Sequence, residues 1–219
     1  MSAGTTEWSA ASSLWVRHLP PQARVAVITL HGGRADSYQA SRPWHLAALR
    51  MRPVLRAAAS AVRLDETVLG QVRYRHRGWN QEDPLQDACH ALGELGELAG
   101  PVPVVLIGHS MGGRAALRAA AHPNVSGVVA LAPWLPADEP TEHLRGKRAV
   151  VLHGDRDTVT SADASVDYVR RARAAQARAD IVLIRGSDHA MVRHSGLWHR
   201  TIADIVADMI RSADDPATG

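Results

Sequence analysis

From Val102 to Leu117 the chain reads V-P-V-V-L-I-G-H-S-M-G-G-R-A-A-L. A run of apolar, mostly β-branched residues stops at Gly108, Ser110 sits between Gly108 and Gly112, and an alanine-rich stretch with helical spacing follows at once. That order prescribes a strand, a sharp turn and a helix. In such a turn the serine backbone is strained, and the flanking glycines remove side chains that would collide with strand and helix. The turn pushes one hydroxyl out of the sheet edge. It also places the Met111 N–H at a helix N-terminus, where uncapped amides and the helix dipole favour an anion.

The rest of the chain repeats the strand and helix alternation. Residues 14–19 suit a short edge strand ended by Pro20-Pro21, and residues 24–30 (RVAVITL) form the continuous apolar run of a strand covered on both faces. That second run delivers His31-Gly32-Gly33, whose backbone N–H groups stand open where ligands of parallel sheets bind. Residues 43–61 have helical spacing, with Pro53 placed to kink or divide them. A strand is expected over 66–74. Its continuation puts Arg73, Arg75 and Arg77 on one face, either as a polar strand end paired with nearby acids, the favoured reading, or as a carboxylate or phosphate clamp.

Asp83-Pro84 supplies an N-cap and first helical residue for a helix running to about Ala99. Strands follow over 125–132, 149–152 and 181–184, with helices over 161–177 and 197–211. The strand at 125–132 ends in Pro133-Trp134-Leu135-Pro136, where Trp134 serves either as an acyl-pocket wall or as a packing residue. Only residues 137–148 separate that strand from the next, which leaves room for one short helix and none for a cap domain. The alternation specifies an α/β chain, a mostly parallel sheet of six to seven strands with helices on both faces. Residues 14–212 are expected to form one domain, with 1–13 a flexible N-terminus and 213–219 a flexible tail.

Composition narrows the function classes. The 219 residues carry 25 basic and 22 acidic side chains with a net charge of +3, and Lys147 is the lone lysine. With both signs interspersed, this describes a mixed solvated surface rather than a nucleic-acid footprint. Cys89 is the one cysteine, which excludes an internal disulfide and a cysteine metal cluster, and its helix-like setting predicts a buried or half-buried structural thiol. No apolar run reaches the roughly 18 residues of a membrane span. A cytoplasmic protein without metal or cofactor is expected. Neither nucleic acid nor membrane is expected as a partner, and a homodimer is left open.

Serine becomes a nucleophile when a base takes its proton and a third group orients the base. At the strand C-terminal ends stand Ser110, then Asp155 or Asp157, then His189. That chain order, with the serine turn and His31-Gly32-Gly33, resembles the α/β-hydrolase superfamily across residues 14 to 212, closest to its small lidless bacterial esterase, lysophospholipase and dienelactone-hydrolase-like members. The resemblance implies an α/β-hydrolase fold, Ser110 as nucleophile and His189 as general base. In the pattern H-G-x-x-D-x-x-V it makes Asp157 the triad acid, with Val159 two residues later, and leaves Asp155 in a turn role. It further implies an oxyanion hole from the N–H groups of Met111 and Gly33, with Gly32 and Trp134 as substrate contacts. Serine in place of cysteine argues against dienelactone hydrolysis, and the missing cap argues against long-chain lipases. The reaction expected is carboxylic ester hydrolysis through an acyl-enzyme, the partner being a small-molecule acyl ester or thioester substrate. The alternatives are a thioesterase or acyltransferase on coenzyme A or carrier-bound acyl groups, and a non-catalytic ligand-binding protein.

Overall fold

The computed structural model describes residues 12–214, so most of the expected N-terminal and C-terminal tails, 1–11 and 215–219, lie outside the described residues. Ser13 is held in place, its N–H donating to Glu94 Oε1 at 2.8 Å, and the closing helix runs through Asp214, past the expected end of the domain.

Seven strands form one sheet: β1 (Leu14–His18), β2 (Val25–Leu30), β3 (Thr67–Val72), β4 (Val104–His109), β5 (Val125–Leu131), β6 (Arg148–Gly154) and β7 (Arg178–Ile184). Their order is β1-β3-β2-β4-β5-β6-β7, with β1 antiparallel at the edge and every other pairing parallel. Helices α1 (Leu46–Ala59), α2 (Asp83–Ala99), α3 (Met111–Ala119), α4 (Ala162–Ala174) and α5 (Ser195–Asp214) complete the α/β-hydrolase fold. The segment between β5 and β6 holds a single 3-10 turn at Glu142–Leu144, and among the described residues no cap domain is inserted there.

The continuous apolar runs of β4 and β5 follow from burial on both faces. Val104, Leu106, Val128 and Ala130 point toward α2, α3 and α4, while Val105, Ile107, Val129 and Leu131 point toward α1 and α5. Pro53 does not divide α1, which continues through it with Met51 and Val54 in the core.

Three expectations are corrected. Strand β3 stops at Val72, so Arg73, Arg75 and Arg77 do not share a strand face. The Arg75 guanidinium pairs with Asp87, a carboxylate with no exposed side-chain surface, and Arg77 donates to Gln39 Oε1 at 3.2 Å. These contacts form a structural anchor, as the paired-acid alternative has it. Helix α2 starts one residue early, with Asp83 its first residue and Glu82 in the N-cap position at φ 69°. Cys89 is exposed rather than buried. The inner stripe of α2 runs through Ala88, Ala91, Leu92 and Leu95, and one residue past Ala88 the helix has turned about 100° away from the core.

Candidate active site

Ser110 links β4 to α3 with φ 55° and ψ −119°, a conformation that ordinary residues avoid. Backbone hydrogen bonds hold it there. Its N–H donates to Leu131 O at 2.9 Å, and its carbonyl accepts from Gly113, Arg114 and Trp134 N–H groups at 2.9, 3.2 and 3.2 Å. The two glycines of the motif are required by close approach. A Cβ on Gly108 would meet Gly112 O at 2.1 Å, and one on Gly112 would meet Leu30 O at 2.4 Å. The strand-to-helix turn is thus pressed directly against the end of β2.

That same end supplies the glycine turn. A Cβ on Gly32 would lie 3.3 Å from Ser110 Cβ, and one on Gly33 would meet the Met111 side chain at 2.5 Å. The turn and the serine are in direct contact. No side chain caps α3, and among the described residues no protein acceptor takes the N–H of Met111 or of Gly33. Two amide donors stand unused beside the serine, at a helix end that favours negative charge.

On the far side of Ser110 lie the acid and the histidine. His189 Nδ1 is 2.7 Å from Asp157 Oδ2. Asp157 has no exposed side-chain surface, and its other donors are the N–H groups of Val159 and Thr160 at 2.7 and 2.9 Å and the Thr160 hydroxyl at 2.9 Å. Burial alone would raise this carboxyl, but the Thr160 N–H, His189, Val159 N–H and Thr160 hydroxyl bonds outweigh it and hold the group below its ordinary value. The carboxylate therefore stays charged beside the imidazole. Asp155 has a separate task, accepting the Gly186 N–H at 2.6 Å and so tying the loop that leads to His189.

His109 fixes His189 from the serine side. Its Nε2 donates to the His189 carbonyl at 2.9 Å, and the two rings lie 4.8 Å apart at 45°. Burial first, then the His189 charge, lowers the His109 pKa to about 3, so its ring is neutral. Among the described residues no hydrogen bond joins the Ser110 hydroxyl to His189; resting catalytic pairs are commonly looser than working ones.

Sequence reasoning missed two supporting residues. His153, fully buried, places Nε2 3.2 Å from Asp157 Oδ2 and Nδ1 2.8 Å from Ser165 Oγ, so two histidines share one carboxylate. The spacing His153-x-x-x-Asp157 across a strand-end turn was the available signal. Glu139, also buried, pairs with Arg114, whose guanidinium lies 4.0 Å from the Trp79 ring centroid and 4.8 Å from that of Trp134. Trp134 stands half-buried in this stack, and its N–H braces Ser110 O.

A family model described as an alpha/beta hydrolase domain matches residues 72–214. The chain belongs to the α/β-hydrolase family. Its fold is that of several solved hydrolases. Esterase Est2 from Thermogutta terrifontis superposes with a TM-score of 0.68 at 17% identity, over 94% of this chain and 90% of that one. Est1E from Butyrivibrio proteoclasticus, solved with ferulic acid, gives 0.67 at 14% identity over 90% and 95%. XC6422 from Xanthomonas campestris, described as a serine hydrolase without lid, gives 0.62 at 19% identity over 94% and 90%. No protein with a curated description matches this family member by sequence. No helix among its described residues is long and apolar enough to cross a membrane.

Proposed function

We propose that this protein is a serine hydrolase that cleaves carboxylic esters through an acyl-enzyme. The observation that carries the reading is the buried, charged Asp157 bonded to His189 Nδ1 at the sheet edge where Ser110 is held in a strained turn. A proton on Nδ1, held by Asp157, leaves the Nε2 lone pair free to accept the Ser110 proton as Oγ attacks the ester carbonyl. The Met111 and Gly33 amides receive the charge that develops on the carbonyl oxygen, each such donor contributing on the order of 3 kcal/mol. Collapse breaks the bond to the leaving oxygen, which takes the proton from His189 Nε2, and water activated by the same nitrogen then releases the acid.

Esterases among the structural neighbours agree with this reaction class. The thioesterase alternative relied on a free arginine cluster for phosphate contacts, and Arg75 is committed to Asp87. The test is mass spectrometry of intact protein after treatment with a fluorophosphonate. One adduct located on Ser110 and absent from Ser110→Ala is expected. No adduct on folded wild-type protein would overturn the reading in favour of a ligand-binding hydrolase fold.

A further inference from the structure

Beside His189, between α1 and α5, lies a cavity of about 330 Å³ walled by Leu49, Val54, Met191, Trp198 and Ile202. The volume is that of a small-molecule site, and the walls are apolar. Among the described residues its lining includes no aspartate or glutamate, and the one arginine is Arg50. Arg50 is half-buried and, among the described residues, makes no hydrogen bond or ion pair with the protein. The other half-buried arginines all have acceptors. Arg77 uses Gln39, Arg114 and Arg118 use Glu139, Arg148 uses Asp208, and Arg171 uses Asp167 and the Glu139 carbonyl. No Arg50 nitrogen is buried away from water, so the guanidinium is free to exchange that water for charge-assisted hydrogen bonds to a carboxylate seated in the cavity.

The position of the cavity says which part of a substrate it takes. Ala190 and Met191, which immediately follow His189, form part of its wall. In ester cleavage the leaving oxygen must meet His189 Nε2 to receive its proton, whereas the carbonyl oxygen turns toward Met111 and Gly33. The leaving alcohol therefore projects on the His189 side. We propose that this cavity seats the leaving group and that the preferred leaving group is an alcohol or phenol with an apolar body and a carboxylate, gripped by Arg50. The side assigned to the leaving group rests on the serine-hydrolase reading; the anion site does not.

Two measurements separate the claims. The first compares kcat/KM for 4-acetoxybenzoate with that for its neutral isostere 4-acetoxybenzamide in wild type, Arg50→Met and Arg178→Met. Arg178 is exposed at the amino end of β7, so its replacement controls for net charge alone. The anionic-to-neutral ratio is expected to fall about tenfold or more in Arg50→Met, through KM, and to hold in Arg178→Met. The second measurement, which needs no turnover, is calorimetric binding of 4-hydroxybenzoate and 4-hydroxybenzamide to Ser110→Ala with and without Arg50→Met. Preference for the carboxylate, lost with Arg50, is expected. Active enzyme whose ratio does not move, a ratio moved equally by Arg178→Met, or no binding preference overturns the inference. Binding preference in a protein that neither cleaves these esters nor forms the fluorophosphonate adduct on Ser110 leaves the anion site standing and overturns the esterase reading instead.

Discussion

His189 Nδ1 and Asp157 Oδ2 meet at 2.7 Å across 32 residues of chain, each carried to the contact by the end of a different parallel strand. Asp155, two residues away, faces the opposite task of anchoring Gly186. The two acids should therefore separate by mutation. Asp157→Asn is expected to lower kcat by about 10³- to 10⁴-fold with the fold intact, because the amide no longer enforces the working imidazole tautomer. Asp155→Asn should act mainly on stability. Steady-state kinetics beside circular dichroism checks both, and a reversal of the two effects would show that the wrong acid has been paired with His189.

The second histidine on Asp157 leads to a milder expectation. His153 Nε2 stands 3.2 Å from that carboxylate beside its several other donors, so His153→Asn should cost about tenfold in kcat/KM, far less than loss of the acid itself. A carboxylate with one donor fewer holds the imidazolium more tightly, and the acid limb of the pH–rate profile should move to higher pH. Ser165→Ala, which removes the partner of His153 Nδ1, should shift the limb in the same direction by less. An uncoupled drop in activity with the limb unmoved would reduce His153 to a packing role.

Buried neutral histidines set the pH dependence of stability. Burial lowers His31 to about 4 and His109 to about 3, against an ordinary value near 6.5 in the unfolded chain. Between those limits the unfolded state binds more protons, so folding stability is full above pH 6.5 and falls as the pH drops toward the folded values. From pH 6.5 to 5 each ring costs up to about 2 kcal/mol, one pKa unit being worth about 1.4 kcal/mol. Asp157, held below its usual value, adds to the loss only in more acid solution. Urea midpoints measured between pH 7.5 and 5 should fall steadily; a flat series would mean that these rings reach water.

The parts of the fold that could be read from residue order are those where local pattern and burial coincide. The unbroken apolar runs of β2 and β4, the glycines around Ser110, and the acid and histidine placed just after strand ends all carry their signal within a few residues. What escaped was decided by distant partners. The end of β3 at Val72 leaves Arg75 to Asp87 on α2, and Cys89 faces outward because Ala88 and Leu92 already fill the inner stripe. The stack of Trp134 with Arg114 and Trp79 likewise joins residues far apart in the chain. An arginine without an acceptor, as at Arg50, has no sequence signature whatever.

Glu139 makes the case for a buried charge that supports the site from behind. Its carboxylate faces Arg114 and Arg118, its carbonyl accepts from Arg171 at 2.7 Å, and the loop it belongs to carries Trp134, whose N–H braces the Ser110 carbonyl. Arg118 has a second partner in Glu82 at 2.9 Å, but Arg114 relies on Glu139 and on two indole faces. Glu139→Ala strands the Arg114 guanidinium between Trp79 and Trp134 and should cost about 3 to 5 kcal/mol. Glu139→Gln keeps shape and one acceptor and should cost about 1 to 2 kcal/mol. Replacing both partners, Glu139→Leu with Arg114→Met, should recover much of the Ala loss, because no unpaired charge then remains buried. Urea unfolding of the three variants orders them. Fluorophosphonate labelling of Ser110 should weaken in the same order, since the loop that loosens is the one that holds the serine turn. A loss below about 1 kcal/mol in Glu139→Ala would show that water reaches Arg114 and that the ion pair has no structural role.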